Sequence, residues 1–275
     1  MSRSTSLLLA ALTVVLGLFV ARYHPQAFPE LSPRFSLKKS DVAPAAEAAA
    51  ARLGFDPEGY RRAVTFDEAS SAKYFFELEY GLERLSEEVA RGVSIWSWQA
   101  RFFKPSTIEE FSVELDTEGT LVGFSHTIPE EEKLPRLGRE EALARAEAFL
   151  ARHAPRHPKG ELKLIETEEE ERVGHDVISF TWERRGWTWG DGTYHLHVSV
   201  AGEAVSRYYE HVDAPEAWSR SFRKRRSANQ LFQGAAGALA ALLLLAALVQ
   251  TVRLLKQRQF HGRGFPRGWA LAAAV

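Results

Sequence analysis

The stretch YHLHVSVAGEAVSRYYEHV, residues 194–212, decides the fold. Tyr194, Leu196, Val198 and Val200 alternate with His195, His197 and Ser199, the period-two pattern of a strand with one buried face. Ala201-Gly202-Glu203 then turns the chain into a second alternating run, 204–212, so the stretch is a β-hairpin. The same plan stands earlier in the chain. Phe111, Val113 and Leu115 alternate with Ser112, Glu114 and Asp116, Asp116-Thr117-Glu118-Gly119 makes the turn, and 121–128 returns. Phe111, Leu115 and Gly119 lie 83 residues before Tyr194, Val198 and Gly202, and Trp98 and Arg101 lie 84 before Trp182 and Arg185. One offset shared by strand and turn landmarks marks an internal duplication.

Working outward, each copy opens with a helix. Ser40 or Asp41 can cap an alanine-rich segment, 42–53, that Gly54 stops, and 137–153 is amphipathic. Between helix and hairpin, 60–66 and 93–103 read as strands in the first copy, and 162–167 and 173–184 in the second, while 72–90 carries helical spacing. The expectation is an α+β fold of tandem helix-plus-antiparallel-sheet repeats, each sheet burying one face against its helix, with the first repeat over 40–135 and the second over 136–218.

The chain has 275 residues and no cysteine, so no disulfide holds it, and its size suffices for burial to do so. Thirty-five Lys+Arg against 36 Asp+Glu gives no bias toward nucleic acid. That balance hides a split, because residues 217–275 contain no Asp or Glu, which leaves the remainder acidic. The basic end also holds the longest apolar run, 231–252, which reads as a transmembrane helix of sufficient length. A shorter apolar run at 7–21 reads as a signal anchor within 1–22, followed by a linker, 23–39. Basic segments, 219–230 and 253–264, flank the second span. A new apolar run, 265–275, ends unfinished, as the start of a further membrane segment in a truncated chain would. The expectation is a multi-pass cell-membrane protein with 23–230 extracytoplasmic, and with the lipid bilayer and further membrane helices as partners.

Chemistry-bearing patterns are sparse. Glu-Glu-x-x-x-Arg occurs at Glu131 to Arg136, in a charged loop, and at Glu140 to Arg145, on the first turn of a helix where acidic residues suit the macrodipole. His195 and His197 at i and i+2 share one strand face and are candidate metal ligands, with His211 and His126 on neighbouring hairpin arms. The bland alternative is the solvent face of a strand. Trp96, Trp98, Trp182, Trp187 and Trp189 read as core and cross-strand packing, or as a recognition surface. No phosphate loop, nucleophile elbow or His-Glu-x-x-His is present, so the residues assign no catalytic or cofactor-binding position.

Trp98-Gln-Ala-Arg-Phe-Phe-Lys-Pro105, the run from Glu110 to Gly119 with Gly123-Phe-Ser-His126, Ser179-Phe-Thr-Trp-Glu183, and Ala214-Pro-Glu-Ala-Trp218 leading to Arg226-Ser-Ala-Asn229 carry a resemblance. Their order resembles the amino-terminal extension of some bacterial CPBP-family intramembrane endopeptidases, of the CAAX-protease and bacteriocin-processing type. The resemblance implies an accessory domain that binds or gates a protein or peptide substrate, with the hydrolase and its possible metal in a later helical bundle. A weaker likeness is to PepSY-type modules, which implies regulation of peptidases. The competing expectation is a non-enzymatic membrane-anchored sensor or interaction protein.

Overall fold

The computed structural model describes residues 14–15, 17–19, 21–23 and 36–256. The chain to Pro215 forms one compact unit, and the segment from Glu216 forms a second. In the first, α1 (Lys39–Arg52), β1 (Arg61–Glu68), α2 (Ser70–Glu79), α3 (Gly81–Arg91), β2 (Trp96–Phe103), β3 (Glu110–Asp116) and β4 (Leu121–Thr127) make one half. The other half is α4 (Arg139–His153), a single 3-10 turn, β5 (Leu162–Glu171), β6 (Asp176–Trp189), β7 (Gly192–Ala201) and β8 (Ala204–Asp213). The fold class is α+β.

The two halves share one sheet. Its order is β1-β2-β3-β4-β8-β7-β6-β5, every neighbouring pair antiparallel. Each half is a meander, and the last strands of the two meanders join through Gly123–Tyr209, Phe124–Tyr208 and Ser125–Arg207. Strand alternation sends Phe111, Val113, Leu115, Tyr194, Leu196 and Val198 to one face, each almost fully buried. The helices cover that face. Phe149 of α4 lies 5.4 Å from both Phe124 and Tyr208, over the seam between the halves, and Phe55, just after α1, stacks on Phe111 at 4.3 Å. Trp96, Trp182, Trp187 and Trp189 are buried, with Trp189 edge-on to Phe76 of α2.

The segment 72–90 is two helices. The chain breaks at Tyr80–Gly81, where Gly81 takes a φ of +82°, a value that side-chain-bearing residues rarely adopt. β5 and β6 also outrun their apolar cores. The glutamates of 168–171 pair along β6, and β6 passes through an irregularity to Trp189.

The expected flanking membrane helices are corrected. Among the described residues, no helix is long and apolar enough to cross a membrane, which overturns both the transmembrane flanks and the multi-pass placement. The run 231–252 lies inside α5 (Glu216–Lys256), one continuous helix of 41 residues. Its alanines and the basic cluster before it explain the helix through propensity, which is a separate requirement from the apolarity of a span. Of the first apolar run, only residues 14–15, 17–19 and 21 are described, in helical conformation, and the remainder lies outside the described residues, as does 257–275.

Candidate binding groove

Because the helices cover one face, the other carries the alternate residues, and these are polar. One row crosses seven strands as Arg101, Ser112, Ser125, Arg207, Ser199, Ser179 and Glu168. The neighbouring row is Gln99, Glu114, Gly123, Tyr209, His197, Thr181 and Glu166. Above the β8–β7–β6 part of these rows is a groove of about 560 Å³. Arg207, Tyr209, His197, Ser199 and Ser179 form its floor, and Glu168, Arg172 and His175 stand on the β5–β6 side.

The floor is pre-organised by short polar contacts. Ser179 and Ser199 hydroxyls meet at 2.9 Å, and Ser112 and Ser125 do the same on β3 and β4. His197 Nδ1 lies 3.2 Å from Thr181 Oγ1 and Nε2 lies 3.0 Å from Ser199 Oγ, while its ring stacks on Tyr209 at 4.7 Å. Arg207 lies over the Tyr209 ring at 5.0 Å and among the described residues forms no ion pair. Glu170 holds Arg172 by two bonds, at 3.0 and 3.1 Å. His175 is wholly buried. Its Nδ1 meets the Glu132 carbonyl at 2.9 Å, and its Nε2 is buried without a partner among the described residues.

His197 next to Ser199 has the outline of a base beside a nucleophile, but two features oppose that chemistry. The far nitrogen of His197 meets the Thr181 hydroxyl and not a carboxylate. Ser199 lies within β7, opposite Ser179 on one side and Arg207 on the other, and not at the sharp strand-to-helix turn that exposes a nucleophile beside free backbone N–H groups.

His195 and His197 share the open face as their spacing requires, and His211 joins them there, its ring 5.5 Å from His195. His195 Nε2 is engaged by the Thr193 hydroxyl at 2.9 Å. His126 is on the opposite face, beside Phe111 and bonded to Glu109, so it cannot complete a site with them. Among the described residues, no group of three or more His, Cys, Asp or Glu is placed to hold a metal ion. Both Glu-Glu-x-x-x-Arg patterns have structural work. Arg136 pairs with Asp176 and reaches the Arg172 carbonyl, and Arg145 bonds the Glu203 carbonyl at 2.9 Å in the β7–β8 turn.

Sequence reasoning missed the centre on the helix side. Glu210 is completely buried there and accepts from Arg156 Nη2 at 2.6 Å, His157 Nε2 at 3.0 Å, Tyr194 Oη at 2.7 Å and the Tyr208 hydroxyl. Burial alone raises its pKa, but His157 and Arg156 outweigh that and hold the carboxyl below its ordinary range. The alternation Tyr208, Glu210, Val212 was the available signal.

The histidines set an acid response. Burial, foremost, holds His197, His211 and His153 below the ordinary imidazole range; Arg207 adds to it at His197, and His195 at His211. A lowered histidine pKa means that the unfolded chain takes up protons first, so stability is present above about pH 6.5 and is lost as the pH falls below it. The melting temperature is therefore expected to drop between pH 7.5 and pH 5.5. Calorimetry checks this, with His197→Gln/His211→Gln flattening the slope. The burial-raised Glu114 carboxyl opposes the trend only nearer the carboxylate range.

No curated protein and no solved structure matches the chain. Nothing found links the chain to CPBP-family peptidases. The family described as "YcdB, YcdC repeated domain" matches residues 73–210, which is half of the chain and runs from within α2 into β8. The chain belongs to the YcdB, YcdC repeated-domain family.

Proposed function

We propose that the protein is a non-enzymatic binding module whose groove takes a short extended peptide with free termini. The carrying observation is the placement of opposite charges across a hydroxyl-lined floor: Arg207 on β8 and Glu168 on β5, in one cross-strand row with Ser199 and Ser179 between them. Three strand spacings separate those two positions, about 14 Å. An extended peptide of about four residues covers that distance at roughly 3.3 Å per residue. Its carboxylate would meet the Arg207 guanidinium and its amine Glu168, while the serine and threonine hydroxyls and His197 serve its amides.

Titration calorimetry with a mixed tetrapeptide pool, then with the same pool carboxy-amidated or amino-acetylated, tests the reading. Free peptides are expected to bind, and either blocked pool to bind at least tenfold more weakly. Arg207→Ala removes a charge-assisted bond of about 1.5–3 kcal/mol, equivalent to about 10- to 100-fold in affinity. Equal binding of the amidated pool would sink the assignment of the carboxylate to Arg207.

A further inference from the structure

Among the described residues the sheet ends in two edge strands, β1 and β5, which are exposed along most of their length. Exposed edges present unpaired N–H and C=O groups and are templates for another strand. Here the two edges complement each other. β1 begins with Arg61 and Arg62 and ends with Asp67 and Glu68, whereas β5 begins near Lys163 and ends in the glutamates of 168–171. Laid antiparallel, basic meets acidic at one end and acidic meets basic at the other.

Strand direction and side-chain face both permit that pairing. Eight strands that alternate in direction leave β1 and β5 running oppositely, so a second copy in the same orientation offers β1 antiparallel to β5. Facing comes from each edge's existing partner. Arg62 lies opposite Phe102 and Glu169 opposite Ile178, both on the helix-covered side. Asp67 lies opposite Ser97 and Lys163 opposite Glu183, both on the open side. One register places Arg61 against Glu170, Arg62 against Glu169, Val64 against Thr167 and Asp67 against Lys163, each pair sharing a face once the irregularity between Leu164 and Glu166 is counted. Pairing β5 with a second β5 sets glutamate against glutamate. Arg62 reaches Glu47 within its own chain, an exposed contact that exchange for Glu169 replaces in kind.

We infer that the protein associates with further copies of itself head to tail, β5 of one chain extending its sheet onto β1 of the next. Such an interface is heterologous and does not close on itself, so it gives a ladder of oligomers and not a single dimer.

Charge reversal on the full chain tests it. The variant Arg62→Glu/Asp67→Lys and the variant Lys163→Glu/Glu169→Arg each leave the net charge unchanged and place like charges across the register. Mixed, they restore opposite charges at every junction. Sedimentation velocity is expected to show concentration-dependent oligomers for the unmodified chain, association weakened at least tenfold in either variant alone, and recovery in the equimolar mixture. Circular dichroism verifies that both variants fold. Three outcomes overturn the inference: no association of the unmodified chain, either variant associating like it, or no recovery on mixing. Association that stops at a dimer, lost in the β1 variant and kept in the β5 variant, would assign the contact to two β1 edges instead.

Discussion

Glu210→Ala is expected to lower the unfolding free energy by about 3–5 kcal/mol, the cost of removing one partner from a buried ionic group. The carboxylate is the shared acceptor of four donors from three parts of the chain: Arg156 and His157 after α4, Tyr194 on β7 and Tyr208 on β8. Removing it leaves the Arg156 charge, among the described residues, with a single carboxylate, the longer Asp116 contact at 3.4 Å, and strands two hydroxyls and an imidazole in a core that water does not reach. Tyr208→Phe deletes one donor and leaves the charges matched, so about 1 kcal/mol is expected. The ratio between the two variants is the diagnostic. Urea unfolding followed by tryptophan fluorescence reads it, since Trp187 lies 4.8 Å from the Tyr194 ring and 5.6 Å from His157. The pH response has its own sign. A carboxyl whose pKa is lowered by folding contributes stability that is present above its unfolded value and lost as the pH falls through its folded one, so Glu210 adds a second acid transition below that of the histidines. A loss near 1 kcal/mol for Glu210→Ala would mean that the cluster is an ordinary set of surface-like contacts.

The same residues show where sequence reading stops. Alternation at Phe111–Leu115 and Tyr194–Val200 is a local property, so both hairpins and the duplicated plan are legible from apolar and polar phase alone. The joining of the halves is not. It rests on three residue pairs between β4 and β8, distant in sequence, and these bring Ser125 and the end of β4 to the side of a groove whose floor belongs to the second half. Arg207 has no distinguishing sequence context and acquires one by standing beside Ser125 and Ser199. Glu210 was readable as a buried acid, yet its partners Arg156 and His157 come from a loop whose course no periodicity encodes. The break at Gly81 escaped because one left-handed residue does not disturb apolar spacing on either side of it. The run 231–252 marks the opposite limit, since composition conveys helix formation more directly than it conveys what surrounds the helix.

Gly174→Ala is the second substitution expected to be severe, at about 3 kcal/mol or more, although the residue sits in a hairpin turn where small changes are usually tolerated. The turn between β5 and β6 packs directly on the connection between the two halves. Gly174 donates its N–H to the Glu130 carbonyl at 2.7 Å, its own carbonyl accepts from Leu134 at 3.3 Å, and His175 reaches the Glu132 carbonyl. A Cβ on Gly174 would lie 2.6 Å from the Glu132 carbonyl carbon, 2.7 Å from that of Glu131 and closer still to the Glu132 oxygen. All three atoms are backbone, so no side chain can swing aside. The 130–134 segment must retreat, which combines overpacking of about 1–3 kcal/mol with the loss of hydrogen bonds worth about 1 kcal/mol each. Gly202 meets the same segment from the β7–β8 turn, where a Cβ would come 2.8 Å from that of Leu134, and its φ of +57° adds to the strain of any replacement. Two turns of the second half thus clamp one short connection, and His175, held through that clamp, is part of the groove wall. Gly174→Ala is therefore expected to weaken tetrapeptide binding as well as stability, whereas Gly160→Ala, where nothing lies near the added carbon, changes neither. Thermal unfolding and peptide titration on both variants decide it, and a Gly174→Ala protein as stable as the unmodified chain would show that the connection between the halves yields without cost.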